Sequence, residues 1–393
     1  MSSHTAAYIT GAGAFLPNAP VANEQMEALL GQLGARPSRT RRIILRNNGI
    51  VQRHYALDPQ SGALTHTNAG MTAAAVRELF DTPEALEQIE LLCCGTSSPD
   101  QLMPNHAAMV HGELASHCLE VVATSGICMA GVAALKYAWL AVRSGEYHSA
   151  VATGSEHASS FMRAHFLRAA LKEESHTPDE LDKQPELAFE AEFLRWMLSD
   201  GAGALLLQSQ PRPTGISLRL DWIDSFSFAH ELEPCMYAGA EKRADGSLRG
   251  WREHVNWQEL VDSGLLAVKQ DVKLLNDQVV PYCLGEGLAR SVIRRGIDPE
   301  TIGWFLPHYS SEWFRDKVSA EMTRREWLVP QQRWFTNLHT RGNTGSAALY
   351  LMLEELIHSD RLRPGQRLLC FVPESGRFSS AFIHLTAVTE ATP

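Results

Sequence analysis

Apolar positions in this chain fall into short runs, some of period two and some of period 3.6, separated by turns rich in Gly, Pro and Ser. Residues 6–10 form the first predicted strand, and Gly11-Ala12-Gly13 follows it. A strand over 89–94, a helix over about 105–114 and a strand over 119–124 come next. A long apolar helix begins near Cys128-Met129-Ala130-Gly131, and a further strand spans 149–154. The same order returns later in the chain. Strand 301–306 is followed by helix 311–322, a short strand 333–337, an apolar helix ending near Ile357 and a strand over 367–372.

Two stretches with one order of elements imply an internal duplication of an α/β unit. The predicted halves are 1–210 and 211–393, divided at the turn-rich Ser209-Gln210-Pro211-Arg212-Pro213-Thr214-Gly215. Each half has a helix start built of small residues in the same place, at Cys128 in one and Asn343 in the other. A polar-amphipathic insertion near 156–197 is expected to form helices joined by a turn, and 226–257 is irregular. Insertions of this kind become lids or substrate walls.

Composition narrows the class. The 393 residues are 45% hydrophobic and 20% charged, with a formal charge of −10, which suits a soluble protein and disfavours a nucleic-acid partner. The Arg-rich segment 36–46 is a local exception, read either as a solvated face or as a docking patch for an acidic partner. Seven cysteines without framework spacing predict reduced thiols and a cytoplasmic protein. No signal peptide or transmembrane run is expected. Sixteen scattered histidines and the lack of an H-E-x-x-H or C-x-x-C pair predict no metal.

Gly11-Ala12-Gly13 invites a dinucleotide reading, but the third glycine is missing and Pro17 interrupts the helix that should follow. Cys128 carries more. It lies where a strand gives way to a helix, a setting that favours a thiolate and supplies backbone N–H groups for an oxyanion. Small neighbours open the sulfur to a substrate. His308 and Asn343 fall at the ends of predicted strands in the second half, so the duplication brings all three together outside the carboxyl ends of the sheet. Such a set suits acyl transfer onto sulfur followed by carbon–carbon bond formation. Asp200-Gly201-Ala202-Gly203 reads as a structural turn.

Four motifs carry a family resemblance: Gly126-Ile127-Cys128-Met129-Ala130-Gly131, Leu198-Ser199-Asp200-Gly201-Ala202-Gly203-Ala204, Pro307-His308-Tyr309 and Gly342-Asn343-Thr344-Gly345-Ser346-Ala347. On them the chain resembles the thiolase-fold β-ketoacyl-acyl-carrier-protein synthases III over nearly its whole length. The resemblance implies a five-layered αβαβα fold and a homodimer. It makes Cys128 the acylated nucleophile, and His308 with Asn343 the pair acting on the extender. No cofactor is implied beyond acyl groups carried on the phosphopantetheine of acyl carrier protein or coenzyme A.

The departures matter as much. Where the family has a glycine-rich loop beside the acyl site, this chain has Val372-Pro373-Glu374-Ser375-Gly376-Arg377-Phe378. Glu374 then serves as a base, or turns outward to pair with Arg377; Glu374 or Ser375 also offers an oxyanion N–H. The aromatic platform used in coenzyme A priming is absent, with Ile43 and Asn47 at those places. Arg41, Arg42 and Arg46 suit an acidic carrier protein or a phosphopantetheine phosphate. Met103 is expected to reach across a dimer. These features are similar to those of the dialkylresorcinol synthases and their relatives in aryl-polyene gene clusters; the first of those groups would join a β-ketoacyl and an α,β-unsaturated acyl thioester, by Claisen and Michael steps, to a cyclohexanedione. Alternatives are a fatty-acid-initiating synthase III, a cysteine-dependent acyltransferase or hydrolase, and a non-catalytic partner subunit.

Overall fold

The computed structural model describes residues 5–33, 38–167, 192–262 and 264–390. The centre of the predicted insertion, 168–191, lies outside the described residues. The elements that build the site are β1 (Tyr8–Phe15), α1 (Arg39–Asn48), α2 (Asn68–Arg77), β2 (Leu91–Thr96), α3 (His106–Leu114), β3 (Glu120–Ser125), α4 (Met129–Ser144), β4 (Ser149–Glu156) and β5 (Gly201–Gln208). They continue with β6 (Ser217–Ser227), α5 (Gly287–Arg295), β7 (Ile302–Pro307), α6 (Arg315–Arg324), α7 (Ala348–Ile357), β8 (Arg367–Glu374) and β9 (Ser379–Val388).

The nine strands lie in the order β7-β8-β9-β6-β1-β5-β4-β2-β3. β2 runs parallel to β3 and β4, and β7 runs parallel to β8, while β5 and β9 pair antiparallel with their neighbours. The two sets of strands join where β1 meets β6 at Tyr8↔Arg219 and Ile9↔Leu218. The N-terminal set is ordered third, second, fourth, fifth, first. The C-terminal set repeats this without its third member.

That missing member is the strand predicted over 333–337. Pro330 leads into a 3-10 turn at Gln331–Arg333, and a helical turn begins at Leu338. In backbone pairing, Trp334 and Phe335 reach β7, through the Phe305↔Trp334 bridge and a bond from Phe335 N–H to Phe305 C=O. Two residues cannot make a ladder. The first strand departs in the other direction: it runs through Gly11 and Gly13 to Phe15. Gly13 is there for packing, since a Cβ would stand 2.3 Å from the Ala75 carbonyl of α2.

Three apolar clusters give five layers of helix and sheet. α2 and α3 cover the outer face of the N-terminal strands, where Met71, Ala75, Val110 and Leu114 pack on Leu92 and Val151. Between the strand sets, Val132, Leu135 and Trp139 of α4 pack with Leu349, Tyr350 and Leu353 of α7. α5 and α6 cover the C-terminal set through Leu288, Val318 and Met322 against Phe371 and Phe382. The absence of side chains on Gly131 of α4 and Gly154 of β4 lets the 343–346 turn approach both, since a Cβ on Gly131 would lie 2.5 Å from the Ser346 carbonyl and one on Gly154 2.2 Å. This crossing brings Cys128 and the 343–346 turn together.

Candidate active site

A cavity of about 660 Å³ opens where β2, β3, β4, β7 and β8 end, and Cys128, Glu156, His157, His308 and Asn343 all line it. The carboxyl ends of strands are where open α/β sheets place ligands. Gly126, at φ +151, turns the chain out of β3, and Cys128 becomes the residue that precedes α4. Cys128 is half-buried, whereas Cys93, Cys94, Cys235, Cys283 and Cys370 are buried.

His308 Nε2 stands 3.2 Å from Cys128 Sγ. Its backbone N–H donates to Phe371 C=O at 2.8 Å, which fixes the residue against β8. Burial lowers the imidazole pKa to about 4, so the ring is neutral near pH 7. Asn343 is 5% exposed, and its Oδ1 accepts from Gly345 N–H at 3.1 Å. Its backbone pairs with Met197 and Ser199, which ties the turn to the start of β5. With Oδ1 occupied, the side-chain amide can donate to a substrate oxygen. The structure thus brings together the three residues singled out by the sequence.

The thiolate expected from the helix N-terminus is not the resting state. Burial pushes the Cys128 thiol well up, and the charges of Glu374 and then Glu156 push it further. Glu374 is the reason the helix end fails to help. Its Oε2 accepts from Ile127 N–H at 3.0 Å and from Met129 N–H at 2.9 Å, on either side of Cys128. A carboxylate already occupies the positive end of α4. Arg377 donates instead to Leu232 C=O, so the outward Glu374–Arg377 pair does not form. Ser375 lines the cavity and its hydroxyl donates to Gln270 Oε1 at 3.4 Å.

The remaining predicted residues lie elsewhere. Arg41 is not free for a ligand phosphate, because Nη1 is paired with Glu27 at 2.6 Å. Arg42 and Arg46 are exposed on the same helix, α1, and none of the three lines the cavity. Met103 is 84% exposed beside Leu102, which does line the cavity. Asp200 is buried and accepts from Ala56 N–H at 2.7 Å and Ser159 N–H at 2.8 Å, as a structural turn requires.

Glu156 and His157, at the end of β4, were not anticipated. Glu156 accepts from the Ser97 and Ser98 hydroxyls at 2.6 and 2.8 Å and from Ser346 N–H at 3.1 Å. It thereby joins the loop after β2 to the turn that carries Asn343, and burial raises its pKa. Their signal was a carboxylate and an imidazole at the carboxyl end of a buried parallel strand. Among the described residues, no group of three or more His, Cys, Asp or Glu side chains could hold a metal, and no helix is long and apolar enough to cross a membrane.

Residues 293–381 match the family description 3-oxoacyl-[acyl-carrier-protein (ACP)] synthase III C terminal. The chain is 25% identical over 365 residues to a β-ketoacyl-[acyl-carrier-protein] synthase III of Bordetella petrii, covering 93% of each chain. It is also 25% identical to the acetoacetyl CoA synthase NphT7 of Streptomyces sp. strain CL190, covering 92% of this chain and 93% of that one. The structure of AbyA1, a tetronic acid condensing enzyme, superposes with a TM-score of 0.71 at 20% identity, over 97% of this chain and 99% of the other. Sheet order, central helices and the Cys–His–Asn set together define a thiolase-fold condensing enzyme, an acyltransferase. Within that class the chain is similar to the β-ketoacyl-acyl-carrier-protein synthases III, over the matched C-terminal residues 293–381 and along the relatives' length.

Proposed function

We propose that this ketosynthase joins a β-ketoacyl thioester to an α,β-unsaturated acyl thioester through an acyl-Cys128 intermediate, giving a cyclohexanedione precursor of dialkylresorcinols. The observation that carries the reading is the 3.2 Å contact between Cys128 and a neutral His308, in a cavity that also holds Asn343 and adjoins a carboxylate. As Sγ attacks the donor's carbonyl carbon, its proton passes to His308 Nε2. The donor C–S bond then breaks, the departing carrier thiolate takes a proton from solvent, and His308 keeps its Nε2–H until the cysteine thiolate released in the second half-reaction takes it back. In the second half-reaction the α-carbon of the partner thioester attacks acyl-Cys128, a carbon–carbon bond forms and the cysteine sulfur leaves. His308 and the Asn343 amide donate to the partner's carbonyl oxygen as its enolate develops. The Cys128 N–H, with that of Glu374 or Ser375, receives the acyl oxyanion.

Glu374 supplies the base for the α-proton or for ring closure. The absence of an aromatic platform at Ile43, which is 56% exposed, supports a carrier-protein substrate over coenzyme A. Arg42 and Arg46 present the charge that an acidic carrier needs. The reading includes two duplicated halves, 1–210 and 211–393, a cytoplasmic setting without a metal, and a homodimer. The half-exposed edge strand β3 and the 79% and 84% exposures of Leu102 and Met103 support the dimer. A fatty-acid-initiating synthase III is the second reading, favoured by the β-ketoacyl synthase relative. Incubation with 3-oxoacyl and 2-enoyl carrier thioesters separates them: a cyclised dione is expected, and a linear 3-oxoacyl product alone would favour the second. Cys128→Ala should abolish the acyl adduct by intact mass; labelling that persists would sink the acyl-enzyme.

A further inference from the structure

Glu374 lies at the end of β8, and the turn that follows it, Ser375–Gly376, is clamped against a segment from elsewhere in the chain. Gly376 C=O accepts from Cys235 N–H at 2.8 Å and from Met236 N–H at 3.3 Å. Ser375 Oγ donates to Gln270 Oε1 at 3.4 Å. Gln270 also grips the other side of the seam. Its Nε2 donates to Cys235 C=O at 3.2 Å and stands 3.0 Å from Cys235 Sγ, while its backbone pairs with Met236. One amide side chain therefore joins the turn to the 235–236 segment. Satisfying a buried carbonyl does not account for it, because Cys235 C=O already accepts from Asp271 N–H at 2.8 Å. Gln270 is only 6% exposed, so its hydrogen bonds act with little competition from water.

The turn is close-set on the side of the nucleophile as well. A Cβ on Gly376 would stand 3.0 Å from Ile127 Cδ1 and 3.3 Å from Glu374 Oε1. A shift of the turn therefore moves the Glu374 carboxylate relative to the N–H groups of Ile127 and Met129, which it holds at 3.0 and 2.9 Å. We infer that Gln270 is a positioning residue: through Ser375 and Gly376 it sets the Glu374 carboxylate on the N–H groups that flank Cys128, and so governs how readily the sulfur reacts. The groups that act on the thiol are His308 at 3.2 Å, Glu374, Glu156 and Cys283. Of these, Glu374 is the one whose neighbour in sequence Gln270 holds. Releasing the carboxylate gives the positive end of α4 back to the sulfur, which favours the thiolate. The inference goes beyond the condensing reaction proposed above and holds whichever thioesters are joined.

The test measures the rate of Cys128 alkylation by iodoacetamide at neutral pH, with the modified residue identified by peptide mass. Gln270→Leu keeps the bulk and removes both hydrogen-bonding ends of the amide. Ser375→Ala removes one hydroxyl and serves as the second variant should Gln270→Leu fail to fold. Each should raise the rate by about fivefold, and each should change it by less than about twofold when Glu374→Gln is already present. Wider access to the sulfur, the effect of a merely structural loosening, would raise the rate equally in both backgrounds. An increase that persists beside Glu374→Gln overturns the inference, and so does an unchanged or slower rate in either folded variant. Acylation of Cys128 by a thioester is not part of the readout, so failure of the condensing reading is told apart from failure of this one.

Discussion

Cys128 works between two groups that pull its proton in opposite directions. His308 is a neutral acceptor 3.2 Å away, while the Glu374 charge on the flanking N–H groups disfavours a thiolate. Glu374→Gln removes a cause that raises the Cys128 pKa, so the thiol should ionise at lower pH. The measured rate of iodoacetamide alkylation should therefore rise at lower pH than in the unsubstituted protein. If Glu374 is also the base, cyclisation should slow by about 10²-fold while acylation changes far less; equal slowing would assign it to the helix end alone. Cys128, His308 and Asn343 were legible because each ends a recognisable apolar strand or opens a small-residue helix. The direction of Glu374 was not, since Arg377 offered an equally plausible partner three residues away. Glu156 and His157 were hidden for a different reason: their partners Ser97 and Ser98 come from a loop 58 or 59 residues earlier, and only the parallel pairing of β2 with β4 brings the two together.

At the scale of elements, the site depends on how closely α4 and the 343–346 turn cross the sheet. Ala at Gly154 would put a Cβ 2.2 Å from the Ser346 carbonyl and 2.8 Å from the Tyr350 ring, inside a buried layer with no room to yield. Gly154→Ala is expected to cost about 3 kcal/mol or more of unfolding free energy by overpacking. Gly145→Ala is the control: its φ of +83 is strained for alanine, yet nothing lies within 4 Å of the new Cβ. There the cost should be about 1 kcal/mol. Urea denaturation distinguishes the two, and similar losses would show that backbone conformation, not close approach, governs Gly154. The repeated order of strands and helices could be read from periodicity, because each element buries one face. Residues 333–337 could not, since Trp334 and Phe335 are apolar enough for a strand but are cut short by Pro330 and by the turn at Leu338. Gly11 and Gly13 misled for the same local reason: a glycine that admits a helix looks like a glycine that ends a strand.

Across the whole molecule, a five-layered fold buries polar groups that a two-layered one would leave wet, and this couples stability to pH. His106 bridges layers, with Nε2 3.1 Å from Ser155 Oγ on β4 and 3.4 Å from Thr72 Oγ1 on α2. Burial lowers its pKa from 6.5 to about 4, as it does for His308. A base whose folded pKa is depressed binds fewer protons folded than unfolded, so stability is lost as pH falls below the unfolded value of 6.5 and levels off near 4. Glu156 and Asp200, raised by burial, act in the opposite sense, so the raw pH profile mixes both. A difference between two proteins isolates the imidazole. His106→Gln keeps a polar group near Nε2 but removes the titration. Between pH 7 and pH 5 the unsubstituted protein should lose roughly 2 kcal/mol more unfolding free energy than His106→Gln. Parallel pH profiles would show that water reaches His106 in solution and that the layer between α2 and β4 is less closed than this packing requires.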